Sequence, residues 1–424
     1  MDNWLALFDE CTAVCTDSRQ ITEGCMYIAL KGANFNGNIF AEQALASGAK
    51  YAIVDEIAYQ TNERIYLVDD TLRFLQDLAR AHRQRFSLPI IGITGSNGKT
   101  STKELVRCVL SKKFEVLCTK GNLNNHIGVP LTLLQLKEKH QIAVIEMGAN
   151  KLKDIDELCQ IALPTHGLIT NIGKAHLEGF LDFNGVLKTK SELYDHVAAN
   201  DGTLFINADD PILVNAAQSR SSKTFTYGQD AGELRGQLLY MDPYAHFSWQ
   251  YNTYQSEQIN TQMVGKYNFY NFLAALSVGT FFEVEPNDLN SALSAYCPDN
   301  ARSQVKETKN NTLILDCYNA NPSSMSSALN SFVEMQHPKK LAILGDMLEL
   351  GAEGPSEHQK VLDFLNENQL NYKTVGEIFG QLNPEGYSKT SSLIQELEQQ
   401  QLEGYLILLK GSRAIALEQL VGLL

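Results

Sequence analysis

Residues 89–103, PIIGITGSNGKTSTK, set a lysine and two hydroxyls directly behind a pair of glycines. Gly95 and Gly98 enclose Ser96 and Asn97, and Lys99, Thr100 and Ser101 follow. Such a loop can turn successive backbone N–H groups onto an anion, and a helix starting there adds its partial positive charge. Lys99 can reach outer phosphates, and the hydroxyl of Thr100 or Ser101 can ligate Mg²⁺. The elements needed to hold this loop are legible. Ile90, Ile91 and Ile93 read as a buried strand, and Leu105, Val106, Val109 and Leu110 share one face of a helix over 100–114. The strict pattern has a glycine where Ile93 stands, and Gly92 comes one place early. A plain tight turn is the bland alternative, but strand, glycine loop and helix occur in the order that phosphate binding requires. We read a nucleoside-triphosphate site.

Other reactive groups fall at expected strand ends. Ile142–Met147 reads as a buried strand carrying Glu146, where a Mg²⁺ ligand belongs in a phosphate-binding sheet. A second strand, Gly167–Ile172, runs into GKAHLEGF and places His176 on the same edge. Lys188 and Lys190 follow on a helix, where a solvated face is the plain reading. Asn124 lies in the amide-dense TKGNLNNHIGVP, and Asn268 and Asn271, three apart, share a helix face. Near the N-terminus, Asp17-Ser18-Arg19 reads as an exposed turn, of interest only if that lobe binds phosphate. Further on, DCYNANP (316–322), LGDMLELG (344–351) and KGSR (410–413) occupy strand ends. Ser412, with a helix starting behind it, could hold a carboxylate or phosphate.

With 424 residues the chain has room for two or three domains at about 150 residues each. A net charge of −14 argues against a nucleic-acid partner, though local cations suffice for anionic small molecules. Apolar runs are too short to cross a bilayer, and the acidic start MDNWLALFDE lacks the basic opening of a signal peptide. Eight cysteines form no C-x-x-C pair, so reduced thiols and no structural zinc are expected.

The remaining elements alternate strand and helix. In the first lobe, Met26–Leu30 and Tyr51–Val54 read as strands, Ile39–Ser47 and Thr71–Arg85 as helices. Later strands are Thr203–Asn207, Thr312–Tyr318, Lys340–Leu344, Tyr372–Val375 and Tyr405–Lys410, with a final helix from Ala414. HFSWQY (246–251) alternates Phe247, Trp249 and Tyr251, and we place it in a small antiparallel sheet.

TGSNGKT, GNLNNHIGVP, EMGAN, NIGKAHLEGF, the TKSEL around Lys190, and NADD followed by G-x-x-N-x-x-N resemble the Mur ligases. These are ATP-dependent amide ligases that build the peptide stem of the bacterial cell-wall precursor. The likeness covers essentially the whole chain. DCYNANPSSM, LGDMLELG and KGSR are similar to the member that joins D-alanyl-D-alanine to UDP-N-acetylmuramoyl-tripeptide. The resemblance implies an α/β chain of three domains: 1–86 for the UDP-substrate, 87–297 a central P-loop-type mononucleotide-binding domain, and 298–424 a Rossmann-like domain. It implies a catalytic set of Lys99, Glu146, His176 and Lys190, with Lys190 carried as a carbamate. ATP would be met by Gly95, Ser96, Asn97, Gly98, Lys99, Thr100 and Ser101. Asn268 and Asn271 would take the adenine, Arg302 the phosphates and Asp316 the ribose. One Mg²⁺ would be held by Thr100 and Glu146, and a second by His176 and carbamylated Lys190. Ser18, Arg19, Asn124, Asn319, Asn321, Lys410 and Ser412 would serve the substrates.

Departures from the family pattern are Asn36-Gly37-Asn38 where D-G-H is usual, Tyr267 for a histidine and Ala301 for a glycine. Asp299-Asn300-Ala301-Arg302 resembles the diaminopimelate motif of another member only by chance, since it lies at the domain junction. Whether the third stem residue is diaminopimelate or lysine stays open. Residues assigned to ATP are split between the last two domains, so closure about Pro298–Ser303 is expected. We expect a cytoplasmic monomer with no nucleic-acid or membrane partner.

Overall fold

The chain builds three main α/β sheets and one two-stranded hairpin, described here from a computed structural model. The structure describes residues 1–173, 180, 182–220, 222–241 and 243–424. The first sheet has four parallel strands, ordered Val14–Cys15, Met26–Ile28, Tyr51–Val54 and Ile65–Leu67. Helix Thr71–Gln84 follows, begun by Asp70, whose carboxylate accepts from Arg73 N–H at 2.7 Å. Its Phe74, Leu75, Leu78 and Ala79 are buried. They join Ile90, Val129 and Leu158 of the next unit in one continuous apolar cluster. Polar groups reinforce this junction from inside. Arg83, only 5 % exposed, donates to Ala162 O at 3.2 Å and to Leu88 O at 3.3 Å. His82 Nε2 meets Leu136 O at 3.1 Å.

The central sheet has ten strands. Its parallel part runs Val116–Cys118, Ile142–Glu146, Ile90–Thr94, His166–Ile169, Thr203–Asn207 and Lys223–Gly228. The inner strands Ile142–Glu146 and Ile90–Thr94 are buried along their whole length because helices cover both faces. Lys99–Leu110 and the almost wholly apolar Asn268–Phe281 pack on one face, and Asp154–Ala162 and Phe183–Ala199 on the other. The antiparallel pairing expected around HFSWQY forms, but as part of the large central sheet and not in a small one. Strand Leu234–Met241 pairs parallel with Lys223–Gly228 through Tyr227 and Gly228, and Tyr244–Tyr251 folds back onto it. The hairpin thus extends the central sheet, its alternating Phe247 and Trp249 buried against the same helices.

The last sheet has five strands in the order Gln304–Glu307, Thr312–Asp316, Leu406–Lys410, Lys340–Gly345 and Tyr372–Val375. All pairings are parallel except the first, an antiparallel edge. The expected final helix is instead two 3₁₀ turns, Arg413–Ile415 and Leu417–Gly422. Ala416 divides them at φ +57°, a left-handed conformation that no regular helix contains, and it turns Leu417 and Leu420 into the core. This unit touches the central one with little apolar surface: Val264 joins its cluster, with Tyr244 and Tyr267 partly buried beside it. All eight cysteines are free thiols. Among the described residues no helix is long and apolar enough to cross a membrane.

Candidate active site

The phosphate-type loop follows strand Ile90–Thr94 and opens helix Lys99–Leu110. Gly95 and Gly98 have φ +143° and +77°, and a Cβ at either would strike Thr170 Oγ1 or Asn271 Oδ1. The loop is braced from the neighbouring strand end. Asn171 Oδ1 accepts from Asn97 N–H at 3.0 Å, and Thr170 Oγ1 donates to Asn97 O at 2.5 Å. Lys99 Nζ donates to Gly95 O at 2.7 Å and Ser96 O at 3.1 Å. Burial depresses its ammonium, Glu146 opposes that shift, and Arg302 adds to it.

At the end of the adjacent strand, Glu146 is 1 % exposed. Its Oε1 accepts from Thr100 Oγ1 at 3.1 Å and from Asn124 Nδ2 at 2.7 Å. Its backbone N–H donates to Thr119 Oγ1 at 3.0 Å, and Thr119 O accepts from the buried Lys103 Nζ at 2.7 Å. Glu146 Oε2 is buried and takes no hydrogen bond among the described residues. A hydroxyl and a carboxylate oxygen without a donor, side by side, make the hard oxygen donor set that Mg²⁺ accepts. Among the described residues no group of three or more His, Cys, Asp and Glu gathers into a metal cluster, so a site here draws on other donors.

Lys190 lies on helix Phe183–Ala199 and is 2 % exposed, whereas Lys188 on the same helix is exposed. Its Nζ is 5.6 Å from the Phe180 ring centroid. Burial, then the charge of Lys99, pushes its ammonium well below the ordinary lysine range, against Asp154 and Glu192. His176 lies outside the described residues.

The loop and Glu146 open on a cleft of about 860 Å³ between the central and last units, and the buried Lys190 is not among the residues lining it. Ser96, Asn97, Gly98, Lys99, Thr100 and Ser101 line it, with Asn124 and Glu146 beside them. The last unit contributes Arg302, Asp316, Asn319, Asn321 and Lys410. Two hydrogen bonds cross directly to the loop: Asn321 Nδ2 donates to Asn97 Oδ1 at 2.8 Å, and Asn97 Nδ2 to Ser323 Oγ at 2.7 Å. Asn321 also caps helix Pro322–Glu334 through Ser324 N–H, so a helix start faces the loop. Asn319 Oδ1 accepts from Ala320 N–H.

Asn268 and Asn271 line the cleft too, yet they are 1 % and 6 % exposed and their amides are engaged with each other. Thr102 Oγ1 donates to Asn271 Oδ1 at 3.0 Å, Asn271 Nδ2 to Asn268 Oδ1 at 2.8 Å, and Asn268 Nδ2 to Ser303 Oγ at 2.9 Å. Tyr267, standing where the family has histidine, brings its hydroxyl to Ser303 Oγ at 2.8 Å. Ser303 N–H then donates to Asp316 Oδ1 at 3.2 Å, and Lys410 Nζ pairs with Asp316 Oδ2 at 2.5 Å. A buried hydrogen-bond chain therefore runs from the loop helix into the last unit. Flanking Arg302, Ala301 and Ser303 take φ +54° and +51°. A glycine suits that conformation, which accounts for the family residue that Ala301 replaces.

Three expected substrate residues stand elsewhere. Ser412 is 3 % exposed, its hydroxyl accepts from Leu348 N–H at 2.9 Å, and only a 3₁₀ turn follows it, so the helix N-terminus expected there is absent. Ser18 and the exposed Arg19 belong to the first unit. Arg19 forks onto Asp17 at 2.9 and 2.8 Å and holds that carboxyl down to about 2. The unusual Asn38 is fully buried, donating to Asn36 Oδ1 and Asp55 Oδ1 and accepting from Asp55 N–H. Residues the motifs did not single out include Thr119, Thr170, Asn171 and Ser323. The signal for the middle pair was strand register, since Ile169 lies opposite Thr94 and sets 170–171 beside the loop.

Comparison with known proteins covers every part of this arrangement. The family described as Mur ligase middle domain matches residues 93–279, the Mur ligase glutamate ligase domain 301–413, and the Mur ligase family catalytic domain 10–83. The UDP-N-acetylmuramoyl-tripeptide–D-alanyl-D-alanine ligase of Bacillus subtilis is 33% identical over 96% of this chain and 92% of its own length. A crystal structure of MurF from Acinetobacter baumannii superposes with a TM-score of 0.88 at 28% identity, covering 99% of this chain and 97% of that one. MurF from Thermotoga maritima, solved in complex with ADP, gives 0.85 at 27% identity, covering 97% and 96%.

Proposed function

The chain belongs to the Mur ligase family, and we propose that it is the ATP-dependent ligase joining D-alanyl-D-alanine to UDP-N-acetylmuramoyl-tripeptide. The observation carrying this reading is one cleft holding a phosphate loop, a buried carboxylate with a free oxygen, and the DCYNANP and KGSR strand ends. A carboxylate does not acylate an amine unaided, because oxide would have to leave. Transfer of the ATP γ-phosphoryl group to the tripeptide carboxylate gives ADP and an acyl phosphate. The dipeptide amine then adds to the acyl carbon, and the tetrahedral intermediate collapses to amide and phosphate, releasing a proton. Both steps concentrate negative charge and need fixed donors and cations around them.

Each residue then has a task. Lys99, leaving the carbonyls it now meets, and the loop amides hold the β- and γ-phosphates. Thr100 and Glu146 would hold one Mg²⁺ and His176 a second, and when bound these ions would neutralise phosphate charge. Lys190 completes that set as a carbamate: its neutral amine adds to CO₂ with loss of a proton, replacing a cation that Mg²⁺ would repel by an anionic oxygen pair. Asn268 and Asn271 reach the adenine only if their mutual bonds part, and Asp316 meets the ribose. Arg302 serves the phosphates, and Asn124, Asn319, Asn321 and Lys410 serve the peptide and dipeptide. Arg19 and Ser18 serve the uridine side, with domains at 1–86, 87–297 and 298–424 and a hinge at 298–303.

Phosphate release from ATP tests the reading. Turnover is expected only with the UDP-linked tripeptide and D-alanyl-D-alanine together. Equal turnover with L-alanine or diaminopimelate, and none with the dipeptide, would overturn it. Lys190→Ala is expected to lose most activity and regain part with a small carboxylate in the buffer; rescue by amines alone would remove the carbamate.

A further inference from the structure

Behind Glu146 one cation is wholly out of water. Lys103 lies one turn after Thr100 on helix Lys99–Leu110 and is 0 % exposed. Its Nζ donates to Thr119 O at 2.7 Å and pairs with Glu104 Oε1 at 2.7 Å. Burying an ammonium is costly, so the bonds it makes there must compensate.

The bond to Thr119 O changes the sheet. Strand Val116–Cys118 pairs parallel with Ile142–Glu146, ending with Cys118 opposite Val144. Thr119 N–H still donates to Val144 O at 3.0 Å. The next rung of a parallel ladder would run from Glu146 N–H to Thr119 O. Here Glu146 N–H donates instead to the Thr119 hydroxyl at 3.0 Å, and Lys103 holds the carbonyl. This exchange ends the pairing and turns the chain after Thr119 away from the ladder. Further on the same segment returns to Glu146. Asn124 Nδ2 donates to Glu146 Oε1 at 2.7 Å, and Asn124 O accepts from Gly148 N–H at 2.8 Å. Thr100 Oγ1 reaches the same Oε1, so Oε2 is the oxygen left without a donor among the described residues.

Resting on the reading of Thr100 and Glu146 as Mg²⁺ ligands, we infer that Lys103 is a positioning residue for that site. By keeping Thr119 O out of the ladder it holds the 119–124 segment against Glu146, with one carboxylate oxygen engaged and the other bare. It thereby sets how tightly the metal of a bound nucleotide is held. Without the ammonium, Thr119 O takes the Glu146 N–H, the strand lengthens, and Asn124 is drawn off the carboxylate. Groups behind a metal ligand carry about 10- to 100-fold of metal affinity.

The test is calorimetric binding of ADP to the full chain, once with Mg²⁺ and once with EDTA, which needs no turnover. Mg²⁺ is expected to tighten ADP binding by the unmodified protein. Lys103→Met should cut that gain by about tenfold or more, with ADP affinity in EDTA unchanged. Thr119→Val, which leaves Lys103 in place, should reproduce the loss, and Thr119→Ser should restore the gain. Lys103→Met with Thr119→Val should lose no more than the worse single change, because the two act in series. Glu104→Gln should leave the gain intact. An undiminished gain in Lys103→Met, or equal losses with Mg²⁺ and with EDTA, would overturn the inference. So would a matching loss in Glu104→Gln, which would reduce Lys103 to an ion-pair partner. Should Lys103→Met not fold, an undiminished gain in Thr119→Val overturns it equally. Failure of the metal reading is distinct: the unmodified protein would then bind ADP equally well with Mg²⁺ and with EDTA, and the inference would fall with it.

Discussion

The central unit meets its two neighbours by different chemistry. Toward the first unit it shares one apolar cluster, in which Phe74 and Leu78 of one side contact the same core as Ile90 and Leu158 of the other. Toward the last unit it offers Asn97, Tyr267 and Asn268, which bond to Asn321, Ser323 and Ser303 there, with Val264 the main apolar bridge. Burying apolar surface is non-directional and is lost only when the faces separate into water. Hydrogen bonds between side chains exchange for water at a net cost of about 1 kcal/mol each. The first junction is therefore expected to stay closed, and the second suits the proposed parting and re-forming. The residues assigned to ATP straddle the second.

Four experiments break or sharpen this contrast. The largest effect is expected for Leu78→Ala, fully buried in the first junction. It should lower unfolding free energy by about 2–5 kcal/mol in denaturant titration, with turnover preserved where the protein remains folded. Arg83→Met comes next, since it strips the donor from the carbonyls of Ala162 and Leu88. About 2–3 kcal/mol should be lost, again by denaturant titration.

Acid should then weaken the junction that is firm at neutral pH. Burial lowers the His82 pKa, and its Nδ1 has no hydrogen-bond partner among the described residues. Between that lowered value and the ordinary 6.5 the unfolded chain binds more protons, so His82 stability is present above 6.5 and lost as pH falls toward the folded value. His82→Gln, which keeps a donor for Leu136 O, should flatten the pH dependence of the unfolding midpoint just below 6.5.

Ser323→Ala should be the mildest in stability, about 0.5 kcal/mol or less, because the group it frees can turn to water. Its effect belongs to shape: X-ray scattering should show the unliganded protein more extended and unchanged when nucleotide and tripeptide are bound. An equally large stability loss in Ser323→Ala and Leu78→Ala would end the distinction between the junctions.

How much of this was legible follows from how local each signal is. Gly95, Gly98, Lys99 and Thr100 announce their loop within six residues, and Glu146 ends a strand recognisable by itself. Thr170 and Asn171 act on that loop through a strand pairing about seventy-five residues away, which periodicity does not encode. Ser412 looked available because no pattern foretells that Leu348 N–H arrives at its hydroxyl. Asn268 and Asn271 were placed on one face correctly, but their bond to each other depends on Ser303 arriving from the next unit. The hairpin at 244–251 reads the same whether it stands alone or joins a sheet, and only Tyr227 pairing with Leu234 decides.

The order of strands in the last sheet bears on how that unit comes into being. Leu406–Lys410 lies between Thr312–Asp316 and Lys340–Gly345, which have no pairing with each other. Synthesis delivers both flanking strands well before the one that joins them. Until it arrives, the two hold open edges toward each other across a gap, with Leu313, Leu315, Ala342 and Ile343 uncovered. Such edges are where intermolecular strand pairing begins. The unit that supplies this wall of the cleft should therefore be the slowest to mature, and the one whose nascent form most needs shielding from its own copies.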